Sequence, residues 1–187
     1  MPRNLQRFVL RPFPGDDDVP DITIAGTVAR RANRFLADFT VRGKLSELSI
    51  PMPGALPARK DSLWEGTCLE LFVGPRGSRQ YWEFNLSPAG HWNVYRFASY
   101  RKGMREEESF ASLPFRVRRE PDALRLSLEM DVGRIVPADR DGEVSPCAVI
   151  RTRKGGISHW ALAHSGPRPD FHRREGFRLL LPGGGAS

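Results

Sequence analysis

Short segments in which apolar and polar residues alternate constrain the fold of this chain more than any other feature. Apolar side chains fall at positions 35, 37, 39 and 41, and again at 124, 126, 128 and 130, where Arg125, Ser127 and Glu129 lie between them. Successive side chains of a β-strand point to opposite faces, so a period of two predicts strands with one dry and one wet face.

The rest of the chain repeats this pattern between turn-forming residues and shows no convincing amphipathic helix of three turns. Many short strands at regular spacing predict an all-β chain, a β-sandwich of about 9–11 antiparallel strands. Besides 35–41 and 124–130, the predicted strands are residues 22–28, 67–73, 81–87, 91–97, 115–119, 148–152, 159–163 and 177–181, with 8–11 as an N-terminal addition.

The length of 187 residues fits one domain spanning 1–187, with the glycine-rich residues 183–187 as a flexible tail. The net charge of +7 suggests an anionic partner. The arginines are scattered rather than concentrated in one stripe, however, so we do not expect nucleic-acid binding.

Targeting and cofactor signals are weak. No apolar run approaches the ~20 residues that span a bilayer, and the N-terminus lacks the apolar core of a secretory signal, so the cytoplasm is the expected location. Cys68 and Cys147 lie in apolar runs without CxxC spacing, which predicts buried, reduced thiols. We expect no resident metal or cofactor.

The region from Trp64 to Arg101 carries the functional signal. Alternation gives its first two strands one wholly apolar face each, which we assign to the core. The opposite face combines carboxylate, amide and aromatic groups: Glu70, Tyr81, Glu83, Asn85, Asn93 and Tyr95. Aromatic rings stack on sugar rings, while carboxylates and amides bond to hydroxyls. This face predicts a non-catalytic site for a carbohydrate or another small polar ligand, with Trp64, Trp92 and Arg101 as further candidates.

Other interpretations stay open. Glu70 and Glu83 could form ion pairs with Arg96 or Arg101 beneath a loop, or act as the acid and base of a glycan hydrolase. Trp64 and Trp92 could be core or edge aromatics. A haem or metal site and a protein-interaction module with a basic surface are the remaining alternatives. The histidines and acid that such a site could use, or that could merely order a loop, are His91, His159, His164, Asp170 and His172.

Several stretches of the sequence resemble bacterial DOMON-like domain proteins, which look related to family 9 carbohydrate-binding modules. The stretches are LWEGTCLELF at 63–72, YWEFNLSP at 81–88, WNVY at 92–95 and SHWALAHSGPRPDFH at 158–172. The resemblance extends from about residue 36 to residue 181. It implies a β-sandwich with a jelly-roll-like or immunoglobulin-like arrangement, and binding of a sugar or, as in other DOMON relatives, of haem.

Overall fold

The computed structural model describes residues 5–184, which form twelve antiparallel β-strands and no α-helix in that range. Four single-turn 3-10 helices lie between the strands, at Leu45–Glu47, Leu63–Glu65, Val132–Arg134 and Arg174–Gly176. The strands are β1 (Gln6–Pro12), β2 (Ile22–Arg31), β3 (Arg34–Gly43), β4 (Cys68–Pro75), β5 (Tyr81–Leu86), β6 (Trp92–Phe97), β7 (Arg105–Glu106), β8 (Phe115–Arg119), β9 (Ala123–Asp131), β10 (Gly142–Arg151), β11 (Ile157–Ala161) and β12 (Leu179–Leu181).

The strands form one curled sheet in the order β7-β6-β5-β4-β10-β11-β1-β2-β3-β9-β8, with β12 beside β10. The curl occurs at β1, because residues 6–10 pair with β2 whereas residues 11–12 pair with β11. The sheet therefore folds into two layers. Layer A contains β2, β3, β8 and β9. Layer B contains β4, β5, β6, β7, β10, β11 and β12.

One apolar core lies between the two layers. Phe35, Phe39 and Leu126 enter it from layer A, and Leu71 and Phe84 enter it from layer B, each almost fully buried. Their removal from water is the main driving force that holds the layers together. The apolar face predicted for β4 and β5 is thus the core face, and the polar face of these strands points away from layer A.

The observed strands agree with the all-β prediction, although several bounds differ: β11 begins and ends two residues before the predicted 159–163, and β12 begins two residues after the predicted 177. Two further differences have a physical reason. The strand β7 has only two residues, too few for a periodic signal. The strand β10 begins at Gly142, whereas the sequence predicted a strand only from residue 148. Pro146 interrupts the strand signal before that residue, since proline has no N–H for a ladder. Pro146 pairs with β4 and lies between the positions where β12 and β11 pair with β10, so it has a neighbour on one side only.

Hydrogen bonds hold the first two residues of the predicted flexible tail in place. The amide of Gly183 donates to Asp141 Oδ1 at 2.9 Å, and that of Gly184 donates to the Ala138 carbonyl at 2.7 Å. The remaining residues of the predicted flexible tail, 185–187, lie outside the described residues. Between residues 5 and 184, no helix is long and apolar enough to cross a membrane.

Candidate functional site

A cavity of about 390 Å³ lies on the outer face of layer B. Its floor consists of side chains from β4, β5, β6, β10 and β11, and its sides come from the β6–β7 connection and from a segment after β11. The lining residues are Trp64, Glu70, Phe72, Glu83, Phe97, Arg101, Met104, Val149, His159, Pro169, Asp170, Phe171 and His172.

The register of the strands sets the floor. Phe72 lies opposite Glu83, and Glu70 lies between Asn85 on one side and Cys147 on the other. Because opposed residues of an antiparallel pair project to the same face, these groups all point away from the core. The alternation that buries Leu71 and Phe84 therefore also places two carboxyl groups side by side on the outer face.

Residues 169–177, which we call the C-terminal cover, shield this face from water. The ring of Phe177 contacts Phe72 and Tyr81, with ring centroids 6.1 and 5.7 Å apart. The imidazole of His172 packs edge-on against Phe72 and Phe97 at 5.1 and 5.0 Å. These contacts form a second apolar cluster outside the main core, so the outer face of layer B is largely buried.

The cover is attached to the β6–β7 connection through Asp170. Its carboxylate accepts hydrogen bonds from Arg101 Nη2 at 2.9 Å and from the hydroxyl of Tyr100 at 2.5 Å. Arg101 has a φ of 51°, which is uncommon for a residue with a side chain, and its N–H donates to the Tyr81 hydroxyl at 3.1 Å. The Tyr100 and Arg101 bonds hold the pKa of Asp170 below its usual value, even though partial burial opposes them.

Glu70 is the most unusual group of the site. Its side chain is only 2% exposed, and Oε1 has no hydrogen-bond partner among the described residues. Burial raises the pKa of this carboxyl group well above its ordinary value, and the neighbouring Glu83 raises it further. A buried polar atom without a partner costs free energy, so a native structure that keeps one needs an explanation.

Glu83 is nearly as buried but has one firm partner. The amide of Asn85 donates to Glu83 Oε1 at 2.8 Å, while His172 Nε2 is 3.8 Å from Oε2. Burial raises the pKa of Glu83 to about 7, against the opposing effects of Asn85 and Arg101. Burial, aided by Arg101, lowers the pKa of His172 to about 4. His172 is therefore neutral at neutral pH, bonds to the Tyr81 hydroxyl at 2.9 Å, and leaves the charge of Glu83 uncompensated.

Three of the predicted residues lie away from the cavity, neither lining it nor bonded to a polar group of its lining. Asn93 accepts a hydrogen bond from Arg59 Nη1 at 2.7 Å and donates to the Tyr95 hydroxyl at 2.9 Å. Tyr95 in turn donates to Asp61. Trp92 lies in the main core, with the Arg59 guanidinium 4.4 Å from its ring centroid.

The other predicted residues are at the cavity or directly beside it. Glu70, Glu83, Arg101 and Trp64 line it. Asn85 and Tyr81 hold the lining residues Glu83 and His172 by hydrogen bonds. Trp64 also packs edge-on against Tyr95, with centroids 5.7 Å apart, which links the cavity to the Asn93 network.

The suggested ion pairs of Glu70 or Glu83 with Arg96 or Arg101 are absent from residues 5–184. Arg101 binds Asp170 instead. The histidines have separate roles: His159 bonds to Asp16 and lines the cavity, whereas His164 bonds to the Arg11 carbonyl.

Of the aromatic lining residues, the sequence identified only Trp64. Phe72 shares a face with Glu70, so alternation could have included it. Asp170 and His172 were candidates for a metal site or for ordering a loop and not for this cavity, because they meet β5 and the β6–β7 connection through contacts between positions 69–91 residues apart. The described part of the chain holds no group of three or more His, Cys, Asp or Glu side chains arranged to bind a metal ion.

The fold is similar to several solved structures. A proposed carbohydrate-binding protein from Bacteroides uniformis is 16% identical, with a TM-score of 0.70 over 95% of this chain and 85% of that one. A family 9 carbohydrate-binding module from Caldicellulosiruptor kristjanssonii, solved with cellotriose, is 8% identical, with a TM-score of 0.57 over 98% and 84%. A family 9 module from the same organism, solved with glucose, is 7% identical, with a TM-score of 0.56 over 98% of this chain and 86% of that one.

Neither a protein-family model nor a curated protein matches the sequence. The structural likeness is at low identity and therefore shows a shared fold. The class of protein defined by fold and site is a β-sandwich-like domain with a cavity on an outer sheet face that combines buried carboxyl groups with aromatic residues.

Proposed function

We propose that the cavity on layer B binds a carbohydrate and that the chain is a non-catalytic binding domain. The observation that carries the proposal is the carboxyl group of Glu70, which is buried and partly without a partner at a cavity with aromatic walls. A saccharide would supply hydroxyl groups to this atom and to Glu83. Trp64 and Phe171, the lining rings that are only partly buried, would contact the apolar face of a sugar ring.

The size of the cavity supports a small ligand. Its volume of about 390 Å³ falls within the ~300–1,000 Å³ that is typical of ligand pockets. Its lining combines aromatic and aliphatic side chains with the polar groups of Glu70, Glu83, Arg101, His159, Asp170 and His172. Such a combination orients a ligand by a small number of hydrogen bonds while the rings supply most of the contact area.

The fold neighbours support the same ligand class. Two of them were solved with cellotriose and glucose. These sugars are therefore the first to test. We also propose that the DOMON-like relationship, the jelly-roll or immunoglobulin-like connectivity and the cytoplasmic location apply to this chain, as the sequence suggests.

Isothermal titration with glucose, cellobiose, cellotriose and other neutral saccharides tests the proposal. We expect saturable binding to the wild-type protein and at least about tenfold weaker binding to Glu83→Gln, which loses a hydrogen bond to a carboxyl group. The matched control is Glu129→Gln on the exposed face of layer A, which should bind like the wild type. Absence of binding across the panel, or equal affinity in all three proteins, contradicts a saccharide site at Glu83.

Glycan hydrolysis is a second candidate, and the raised pKa values of the adjacent Glu70 and Glu83 favour it. Incubation with chromogenic glycosides of the saccharides that bind would detect it. Turnover that Glu70→Gln and Glu83→Gln each abolish would replace the binding domain with an enzyme. Binding without turnover supports the non-catalytic proposal.

A further inference from the structure

The two carboxyl groups of the cavity lack a cationic partner within ion-pair distance. Glu70 and Glu83 together contribute two carboxyl groups, and no Lys or Arg of residues 5–184 forms an ion pair with either. Glu70 Oε1 has no partner at all among those residues. Burial raises the pKa of both groups, and the charge of Arg101 opposes the rise at Glu83.

The other ionisable groups around the carboxyls are already satisfied. Arg101 is bound to Asp170, and His159 is bound to Asp16. His172 bonds to the Tyr81 hydroxyl and is neutral at neutral pH. The two thiols on the same face, Cys68 and Cys147, are buried, and burial raises the pKa of each well above its ordinary value, which keeps them uncharged. Arg101 lowers the pKa of Glu83 through its charge, but none of these groups is a positively charged partner within ion-pair distance of either carboxyl group.

We propose that the ligand carries a primary ammonium group that binds between Glu70 and Glu83, and that it is an amino sugar. This inference rests on the proposed carbohydrate function and specifies its substrate class. An ammonium group donates three hydrogen bonds, so it can satisfy Glu70 Oε1 and the free oxygen of Glu83 together. A saccharide that has an amine in place of one hydroxyl keeps the ring that the aromatic walls would contact.

A metal ion fits the same carboxyl groups less well. A divalent ion takes four or more ligands, and the described residues offer no cluster of three or more metal-binding side chains. The cavity is also lined by Trp64 and Phe171, whose rings are only partly buried, and aromatic rings attract organic cations. The surroundings of the two glutamates therefore favour an ammonium ion on a carbon skeleton.

The test compares three disaccharides that share one backbone and differ only at the C2 substituent. Cellobiose carries hydroxyls, the disaccharide of glucosamine carries amines, and its diacetylated form carries uncharged amides. In calorimetry near pH 7, we expect the glucosamine disaccharide to bind wild-type protein at least about tenfold more tightly than either neutral disaccharide. Glu70→Gln should bring the ratio of the amine affinity to the cellobiose affinity close to one, whatever its effect on cellobiose binding itself. Glu129→Gln should keep the preference.

Each outcome has a distinct meaning. If cellobiose binds as tightly as the amine, or if Glu70→Gln preserves the preference, the ammonium proposal is wrong and the carbohydrate site stands. If none of the three disaccharides nor the neutral panel binds, the proposed function itself fails. A melting temperature of Glu70→Gln close to the wild-type value ensures that loss of preference is not loss of fold.

Discussion

The outer faces of the two layers carry similar residues in very different surroundings. On layer A, Arg34 and Glu129 form an ion pair whose side chains are 68% and 52% exposed, and Asp38 accepts a hydrogen bond from Ser127. On layer B, Glu70 and Glu83 are 2% and 5% exposed and form no ion pair with Lys or Arg in the described chain. Both faces come from the same alternation of apolar and polar residues.

The difference lies in what covers each face. Water solvates the charges of layer A, so their ion pairs contribute little to stability and cost little. The C-terminal cover removes water from layer B, where an uncompensated carboxyl group is costly. A face that pays this cost is typical of a functional site, because burial strengthens the interaction of its polar groups with a ligand.

Truncation of Phe177, which packs the C-terminal cover onto layer B, should lower the free energy of unfolding by more than any other change considered below. Phe177 is buried against Phe72 and Tyr81, so Phe177→Ala should lower the free energy of unfolding by about 3–5 kcal/mol. Leu36 on the outer face of layer A is only partly buried, and Leu36→Ala should cost about 1 kcal/mol. Urea unfolding of both variants checks the comparison. Equal losses would mean that the cover adds little to the stability of layer B.

The pH dependence of stability should report the buried carboxyl group of Glu83. Its pKa rises from 4.5 in the unfolded chain to about 7 in the folded one, so the folded state holds its proton more tightly. Stability from this group is complete below pH 4.5 and is lost as pH rises through 7. Glu83→Gln should therefore gain about 2–3 kcal/mol on the wild type between pH 5 and pH 8.

The contribution of His172 to stability has the opposite pH dependence. For this reason the test compares the stability of two proteins at each pH instead of reading the wild-type curve alone. Its lowered pKa, about 4, makes the folded protein less stable as pH falls from 6.5 towards 4. The difference between wild type and Glu83→Gln removes this shared contribution. Denaturant unfolding across the pH range should show a widening gap, whereas Glu129→Gln should follow the wild type. A constant gap for Glu83→Gln would show that Glu83 is hydrated in solution.

The sequence allowed prediction of the sheet but only part of the site. Local alternation sets the faces of β4 and β5, so it placed Leu71 in the core and Glu70 and Glu83 together on the outer face. Cross-strand packing does not depend on alternation alone, and Asn93 and Tyr95 proved to bind Arg59 and Asp61 rather than face the cavity.

Sequence patterns could not predict that the C-terminal cover packs on layer B. Asp170 and His172 act through Arg101 and Tyr81, which are 69 and 91 residues away, and no periodicity encodes such contacts. The sequence did show that histidines and an acid gather in residues 159–172. It did not show which strands they contact. Exposure of the two outer faces likewise depends on this long-range packing.

The smallest expected difference is between the coupling energies of two ion pairs, one from each outer face, measured by double-mutant cycles. Arg34 and Glu129 are both exposed, so their coupling should be below about 1 kcal/mol. Asp170, only 12% exposed, accepts a charged hydrogen bond from Arg101, and this pair should couple by about 1–2 kcal/mol. Unfolding of the single and double alanine variants gives both values. Similar coupling energies for the two pairs would mean that the cover does not shield Asp170 from water. The two outer faces would then differ only in the surroundings of Glu70 and Glu83.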